Sequence, residues 1–278
     1  MRILITGANG QLGRELTKQY RNENVELILT DVDNLDITKV DEVFNIMIEK
    51  RPDVVINCAA HTAVDKCEED VENAYRINTI GPKNLAAAAF AIGAEIVQVS
   101  TDYVFDGEGN APLTEFDRTN PQTVYGETKL QGEELVKSLN PRHYVVRTAW
   151  LYGDGNNFVK TMIKLGESGN EVKVVSDQVG SPTSTVDLAN VIRDLIKNKN
   201  YGTFHATCKG MCSWFDFAQE IFRLKNMDVK LVPCTTEEFP RPAKRPKYSV
   251  LRNYSLELTT GDITRDWKES LKEYLATL

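Results

Sequence analysis

Histidine is scarce in this chain and cysteine is scattered, and the two shortages together speak against a metal centre. There are three histidines, His61, His143 and His205, and five cysteines, Cys58, Cys67, Cys208, Cys212 and Cys234. Cys208 and Cys212 stand four apart with no second pair, which is poor spacing for zinc. The start, Met1-Arg-Ile-Leu-Ile-Thr-Gly7, turns to glycine too soon for an export signal, so reduced thiols and a cytoplasmic protein are expected. No apolar run approaches the ~20 residues of a membrane span, and there is neither an internal repeat nor a low-complexity linker. Positive charge is also in deficit: 33 Lys and Arg face 40 Asp and Glu, for a net charge of -7. Nucleic acid and anionic membranes need a basic field and are excluded as expected partners. A local basic pocket can still take a small anionic ligand.

What is present is an ordinary globular composition, 41% hydrophobic and 26% charged over 278 residues, enough for a large core. Apolar runs at Arg2–Thr6, Val25–Thr30, Val54–Ala60, Glu95–Ser100 and His143–Thr148 read as strands. Helical stretches separate them: to about Tyr20, Lys39–Lys50, a long helix to about Ile92, and the helix that follows Pro121. Strands alternating with helices and apolar on both faces predict an α/β fold, a Rossmann-type doubly wound parallel sheet. Beyond Trp150 the alternation loosens, with strands at Val172–Val175 and Thr203–Ala206 and helices at Thr185–Lys197, Trp214–Leu224 and from near Ile263. The expected division is a dinucleotide-binding core over 1–150 and a smaller substrate-binding lobe over 151–278, with about 184–206 returning to the core.

Gly7-x-x-Gly10-x-x-Gly13 joins the first strand to the first helix, with Gln11 and Leu12 inside it. Glycines there let the backbone turn and approach a pyrophosphate, whose charge the helix N-terminus favours. Asp31 ends the second strand, where a carboxylate accepts from an adenosine ribose and repels a 2′-phosphate. No basic residue lies in Thr30–Asp36, so NADH is favoured over NADPH, although Arg14 is within reach of the same region. Tyr125 and Lys129, four apart, share a helix face. An ammonium so placed favours the phenolate and lowers a pKa normally near about 10, giving a proton donor and acceptor near neutral pH. Ser100 and Thr101 close the strand just upstream. A hydroxyl there can donate to a substrate carbonyl and stabilise the oxyanion left by hydride attack; strand alternation decides which of the two faces the site. Asn78 is aimed toward an apolar helix stripe, and a buried amide needs partners.

Glycine loop, strand-end Ser-Thr and Tyr/Lys pair together resemble the short-chain dehydrogenase/reductases. The segments Thr62–Lys66, Ser100–Gly107, Tyr125–Glu133, Arg147–Tyr152, Gly155–Phe158, Asp177–Thr183 and Arg241–Pro246 are similar to the dTDP-4-dehydrorhamnose reductase family over nearly the whole chain. That resemblance implies reduction of the C4 keto group of dTDP-4-dehydro-L-rhamnose with NADH or NADPH, on a catalytic set of Thr101, Tyr125 and Lys129. It implies Asp36, Ile37, Ala60, His61 and Thr62 beside the cofactor. On the sugar-nucleotide side it implies Asp102 and Trp150, the latter as an apolar platform, with Arg241 and Arg245 as candidates for the diphosphate. It gives Asn78 a part in connecting the lysine to solvent through water, against a plain structural hydrogen bond. It implies no metal and leaves room for a homodimer. A dehydratase needs an acid pair after the threonine, and Asp102 is followed by Tyr103 instead of glutamate. Another nucleotide-sugar 4-ketoreductase or epimerase, or a non-catalytic regulatory subunit of the same fold, remains the alternative.

Overall fold

The computed structural model describes residues 1–21 and 23–278. Six parallel strands, β1 Arg2–Thr6, β2 Glu26–Leu29, β3 Val54–Asn57, β4 Glu95–Thr101, β5 His143–Thr148 and β6 Gly202–His205, form one sheet in the order β6-β5-β4-β3-β1-β2. Every residue of β3 is buried, as a strand covered on both faces requires. Alternation divides the core in two. Ile3, Ile5, Ile56 and Val146 pack with Leu12 and Leu16 of helix Gln11–Tyr20 and with Leu188 and Ile192 of helix Thr185–Asn198. Leu4, Val55 and Ile96 face the other way, onto Val43, Met47, Leu85 and Val136 of the helices Val40–Lys50, Gly81–Ile92 and Val124–Leu139. A third cluster gathers Tyr152, Val159, Val174, Cys208, Cys212, Phe217, Trp267 and Leu271. Among the described residues no helix is long and apolar enough to cross a membrane.

Three elements differ from expectation for local reasons. β3 stops at Asn57 rather than Ala60, because the Asn57 side chain accepts from Thr6 Oγ1 at 2.6 Å and from the Ala59 N–H at 3.2 Å and turns the chain out of the sheet. The single long helix before Ile92 is broken into Val64–Glu69, Val71–Tyr75, a π-helical turn Arg76–Ile80 and Gly81–Ile92. Asp70, at φ -122° and ψ 66°, leaves helical geometry. Pro82 lacks the N–H that would bond the Asn78 carbonyl, which favours a widened turn there. The last helix starts at Trp267, not near Ile263, because Asp266 caps it by accepting from the Lys268 N–H at 2.9 Å.

Helix Val124–Leu139 is tied to β5 by a buried ion pair. Arg147 Nη2 donates to Glu133 Oε2 at 2.7 Å and its Nε to Oε1 at 3.0 Å, with exposures of 3% and 0%. Removing one partner leaves the other charge buried and unpaired. Glu133→Ala should therefore cost about 3–5 kcal/mol, measured by denaturant unfolding; a loss below about 1 kcal/mol would mean that Arg147 is held by something else.

Candidate active site

The strand order reverses between β1 and β3, since the chain runs outward from β1 to β2 and then crosses back. The crevice beyond the C-terminal ends of these strands is where such sheets take ligands. The Gly7–Gly13 loop sits in it. Gly7 has φ +62°, and a Cβ there would lie 2.8 Å from Ala59 N; a Cβ on Gly13 would lie 2.4 Å from the Gly7 carbonyl. Only glycine fits this closely packed cradle, which suits a pyrophosphate approaching the helix N-terminus. Asp31 is bound into the loop, its carboxylate accepting from the Asn9 N–H at 2.9 Å and from Val32 N–H at 2.8 Å.

From this loop a cleft of about 1390 Å³ runs across the sheet. It brings together Gly7, Gly10, Gln11, Leu12, Gly13, Asp31, Asp36, Ile37, Ala60 and Thr62 with Thr101, Asp102, Tyr125, Lys129, Trp150, Arg241 and Arg245. His61 is the exception among the expected residues and does not line the cleft. Its backbone is clamped by Asn78, which accepts from the His61 N–H at 2.8 Å and donates to its carbonyl at 3.1 Å. Asn78 also reaches Thr128 Oγ1 at 3.2 Å, so its amide serves as a structural tie. The Gln11 side chain turns to the neighbouring loop and accepts from the Gly153 N–H at 2.9 Å.

Thr123 caps the helix Val124–Leu139 by accepting from the Gly126 N–H at 3.0 Å, which sets Tyr125 and Lys129 on the cleft side. A Cβ on Gly126 would lie 2.2 Å from the Tyr103 carbonyl, so the helix start and the β4 end are in close contact. Lys129 Nζ donates to the Val99 carbonyl at 2.6 Å. Burial pulls the Lys129 ammonium down to about 8, against Glu133 and Cys58, which raise it. The expectation that Lys129 lowers the Tyr125 pKa is corrected here. Burial pushes the phenol well above its ordinary value, and the group that works against this is the Thr101 hydroxyl, through a hydrogen bond.

Thr101 Oγ1 donates to Asp102 Oδ1 at 2.9 Å and accepts from the Tyr103 N–H at 3.2 Å. Its single proton points at the carboxylate in this arrangement, and it must turn before it can favour the Tyr125 phenolate or polarise a carbonyl. Ser100 Oγ is buried with no hydrogen-bond partner among the described residues. Asp102, 3% exposed, has an Oδ2 without a hydrogen-bond partner among the described residues, and burial pushes its carboxyl up to about 6, with Ser249 and Thr101 hydroxyls pulling the other way.

The sugar side is built differently from expectation. Trp150 sits at φ +48°, in the left-handed region, and its indole stacks on Trp214 with ring centroids 3.5 Å apart and planes 8° apart. It therefore does not offer that face as a free platform. Arg245 Nη2 donates to Asp65 Oδ2 at 2.7 Å, and Arg241 lies over the Phe239 ring at 4.6 Å. Sequence reasoning missed Tyr103, Phe158, Gln178, Trp214 and Ser249, which also line the cleft. Tyr103, Phe158 and Gln178 lie inside segments already noted for their resemblance, while Trp214 and Ser249 come from distant segments and carry no local signal.

The raised Asp102 carboxyl has a consequence for stability. The folded protein holds that proton more tightly than the unfolded chain, whose aspartates titrate near about 4. Its contribution is present in acid and is lost as pH climbs through about 6. Asp102→Asn removes the dependence, so between about pH 4 and pH 7.5 the variant should gain on the order of 1–3 kcal/mol relative to wild type. Parallel unfolding curves at both pH values check this, and a constant difference would refute it.

The RmlD substrate binding domain family matches residues 1–278. A solved dTDP-4-dehydrorhamnose reductase from Clostridium acetobutylicum is 72% identical, with a TM-score of 0.99 over 100% of this chain and 99% of that one. The dTDP-4-dehydrorhamnose reductase of Bacillus anthracis, solved in complex with NADP, is 44% identical with a TM-score of 0.98, again over 100% and 99%. The spore coat polysaccharide biosynthesis protein SpsK of Bacillus subtilis is 42% identical over 275 residues, 99% of this chain and 96% of that protein. With family, fold and cleft in agreement along its whole length, the chain belongs to the RmlD substrate binding domain family, that of the dTDP-4-dehydrorhamnose reductases.

Proposed function

We propose that the protein reduces the C4 keto group of dTDP-4-dehydro-L-rhamnose to give dTDP-L-rhamnose, using NADH or NADPH. The observation that carries this reading is the convergence of Thr101, Tyr125 and Lys129 in one cleft with the Gly7–Gly13 cradle. The relatives named dTDP-4-dehydrorhamnose reductase support the substrate. The sheet core, with residues of about 184–206, forms the cofactor half, and the remaining later segments form the substrate half. Gly7, Gly10 and Gly13 hold the pyrophosphate, Asp31 the adenosine ribose and Lys129 the nicotinamide ribose. A nicotinamide dinucleotide bound there supplies the hydride for the carbonyl carbon.

Tyr125 is the proton donor. Its raised pKa keeps the phenol protonated, so it can deliver a proton to the C4 oxygen as negative charge develops there. Thr101 steadies that oxygen once its hydroxyl turns from Asp102. Lys129, pulled down by burial to about 8, shares the cleft side of the same helix and is placed there for the nicotinamide ribose. Arg241 and Arg245 border the sugar-nucleotide side, where a guanidinium fork suits diphosphate oxygens.

Two measurements test the reading. Purified protein should oxidise NADH or NADPH when given dTDP-4-dehydro-L-rhamnose, and Tyr125→Phe should cut turnover by about 10²-fold or more with cofactor affinity retained. Near wild-type turnover in that variant removes Tyr125 from the proton step. For the cofactor, Asp31 places a carboxylate at the ribose, so NADH should bind at least as tightly as NADPH. Titration of both decides it; a clear preference for NADPH means that Arg14 outweighs Asp31.

A further inference from the structure

The Trp150 indole is gripped from two sides by residues that the proposed reaction does not use. On one side lies Trp214, parallel and at van der Waals separation. On the other lies Gly180. A Cβ there would be 2.5 Å from Cε2 of the Trp150 ring and 2.7 Å from two of that atom's bonded neighbours, Cζ2 and Nε1. Near-equal distances to an atom and two of its neighbours place the glycine over the ring plane rather than at its edge. Since Trp214 already fills one face, Gly180 fills the other.

The two jaws are joined to each other. Val179–Gly180 pairs antiparallel with Cys212–Ser213, and Ser213 is the cap of the helix that begins at Trp214. Ser213 Oγ accepts from the Asp216 N–H at 3.0 Å while Asp216 Oδ2 accepts from Ser213 N–H at 3.0 Å, a reciprocal cap that fixes the position of Trp214. Phe158 then backs Trp214 at 4.5 Å between ring centroids. Trp150 itself comes from the other half of the molecule, two residues past the end of β5, and enters the grip with a left-handed backbone. It lines the same cleft as Thr101 and Tyr125.

We propose that Trp214 and Gly180 are positioning residues that clamp the Trp150 ring and so set the shape of the sugar-nucleotide site; this rests on the substrate reading above. The clamp leaves the edge of the ring, not a face, to meet the sugar. A ring held on both faces cannot swing to suit a differently shaped sugar, so the clamp acts on substrate fit and leaves proton delivery by Tyr125 alone.

The test compares Trp214→Ala, Trp214→Phe and Gly180→Ala. The backbone of Gly180 is not in the left-handed region, and the three atoms nearest an added Cβ all belong to the Trp150 ring, so alanine there presses on the ring without backbone strain. Trp214→Ala and Gly180→Ala should raise KM for the sugar nucleotide by about ten-fold or more while kcat and NADH affinity stay near wild type. Trp214→Phe, which restores a flat face, should recover most of the loss. The exciton couplet given by two stacked indoles in circular dichroism should vanish in Trp214→Ala and change in Gly180→Ala. Unchanged KM in both variants overturns the proposal, as does an unchanged couplet in Gly180→Ala. If Trp214→Ala fails to fold, Gly180→Ala and Trp214→Phe decide. A wild-type protein without turnover defeats the substrate reading alone, because the couplet reports on the clamp without substrate.

Discussion

The buried Glu133–Arg147 ion pair holds a helix that carries both a phenol and an ammonium into the cleft, and the placement of the site depends on that attachment. Two close approaches complete it. Gly126 lies against the Tyr103 carbonyl and Gly132 against the Asn78 carbonyl, at distances that admit no Cβ. An ion pair in the interior is a weak source of net stability, but it is costly to break and has one geometry. The helix is thereby fixed in register against β4 and β5, and Tyr125 and Lys129 stay next to Thr101.

Burial dominates the electrostatics of the cleft. Desolvation is the largest influence on Tyr125, Lys129, Asp102 and Tyr103 alike, raising the acids and lowering the base. Each group is moved toward its neutral form. The chain from Tyr125 to Thr101 to Asp102 is therefore a set of protons held in a dry environment, where the direction of one hydroxyl, that of Thr101, decides which neighbour is stabilised.

Much of this was legible in the sequence where the signal is local. The ends of β1 and β5 match their apolar runs, and the glycine loop announces its own turn. The Tyr125/Lys129 spacing gives a shared face because helical periodicity is local. What was hidden is set by distance along the chain. Trp150 reads as a lone aromatic platform until Val179–Gly180 and Trp214 are brought onto it from far downstream. The π turn at Arg76–Ile80 arises where Pro82 and the close contact with Gly132 meet, and a hydropathy pattern does not register either. The Tyr125 pKa was misjudged because spacing reports neighbours and not how far a group is from water.

The pairing of β6 with β5 has a consequence for how the chain folds as it is made. β6 lies at the sheet edge, yet it follows β5 by more than fifty residues that include most of the segments around Phe158–Glu167 and Val172–Val175. The helix Thr185–Asn198, which packs against the first helix of the chain, is synthesised just before it. One face of the sheet thus keeps only part of its cover, from the first helix, and β5 lacks the partner on its outer edge, until about residue 205 has left the ribosome. The nascent chain must carry an open apolar face and an open strand edge through that interval, a period when other chains can pair with it. The glycine loop and Asp31, which lie within the first third of the sequence, can be assembled earlier, while the rest of the cleft waits for the later segments.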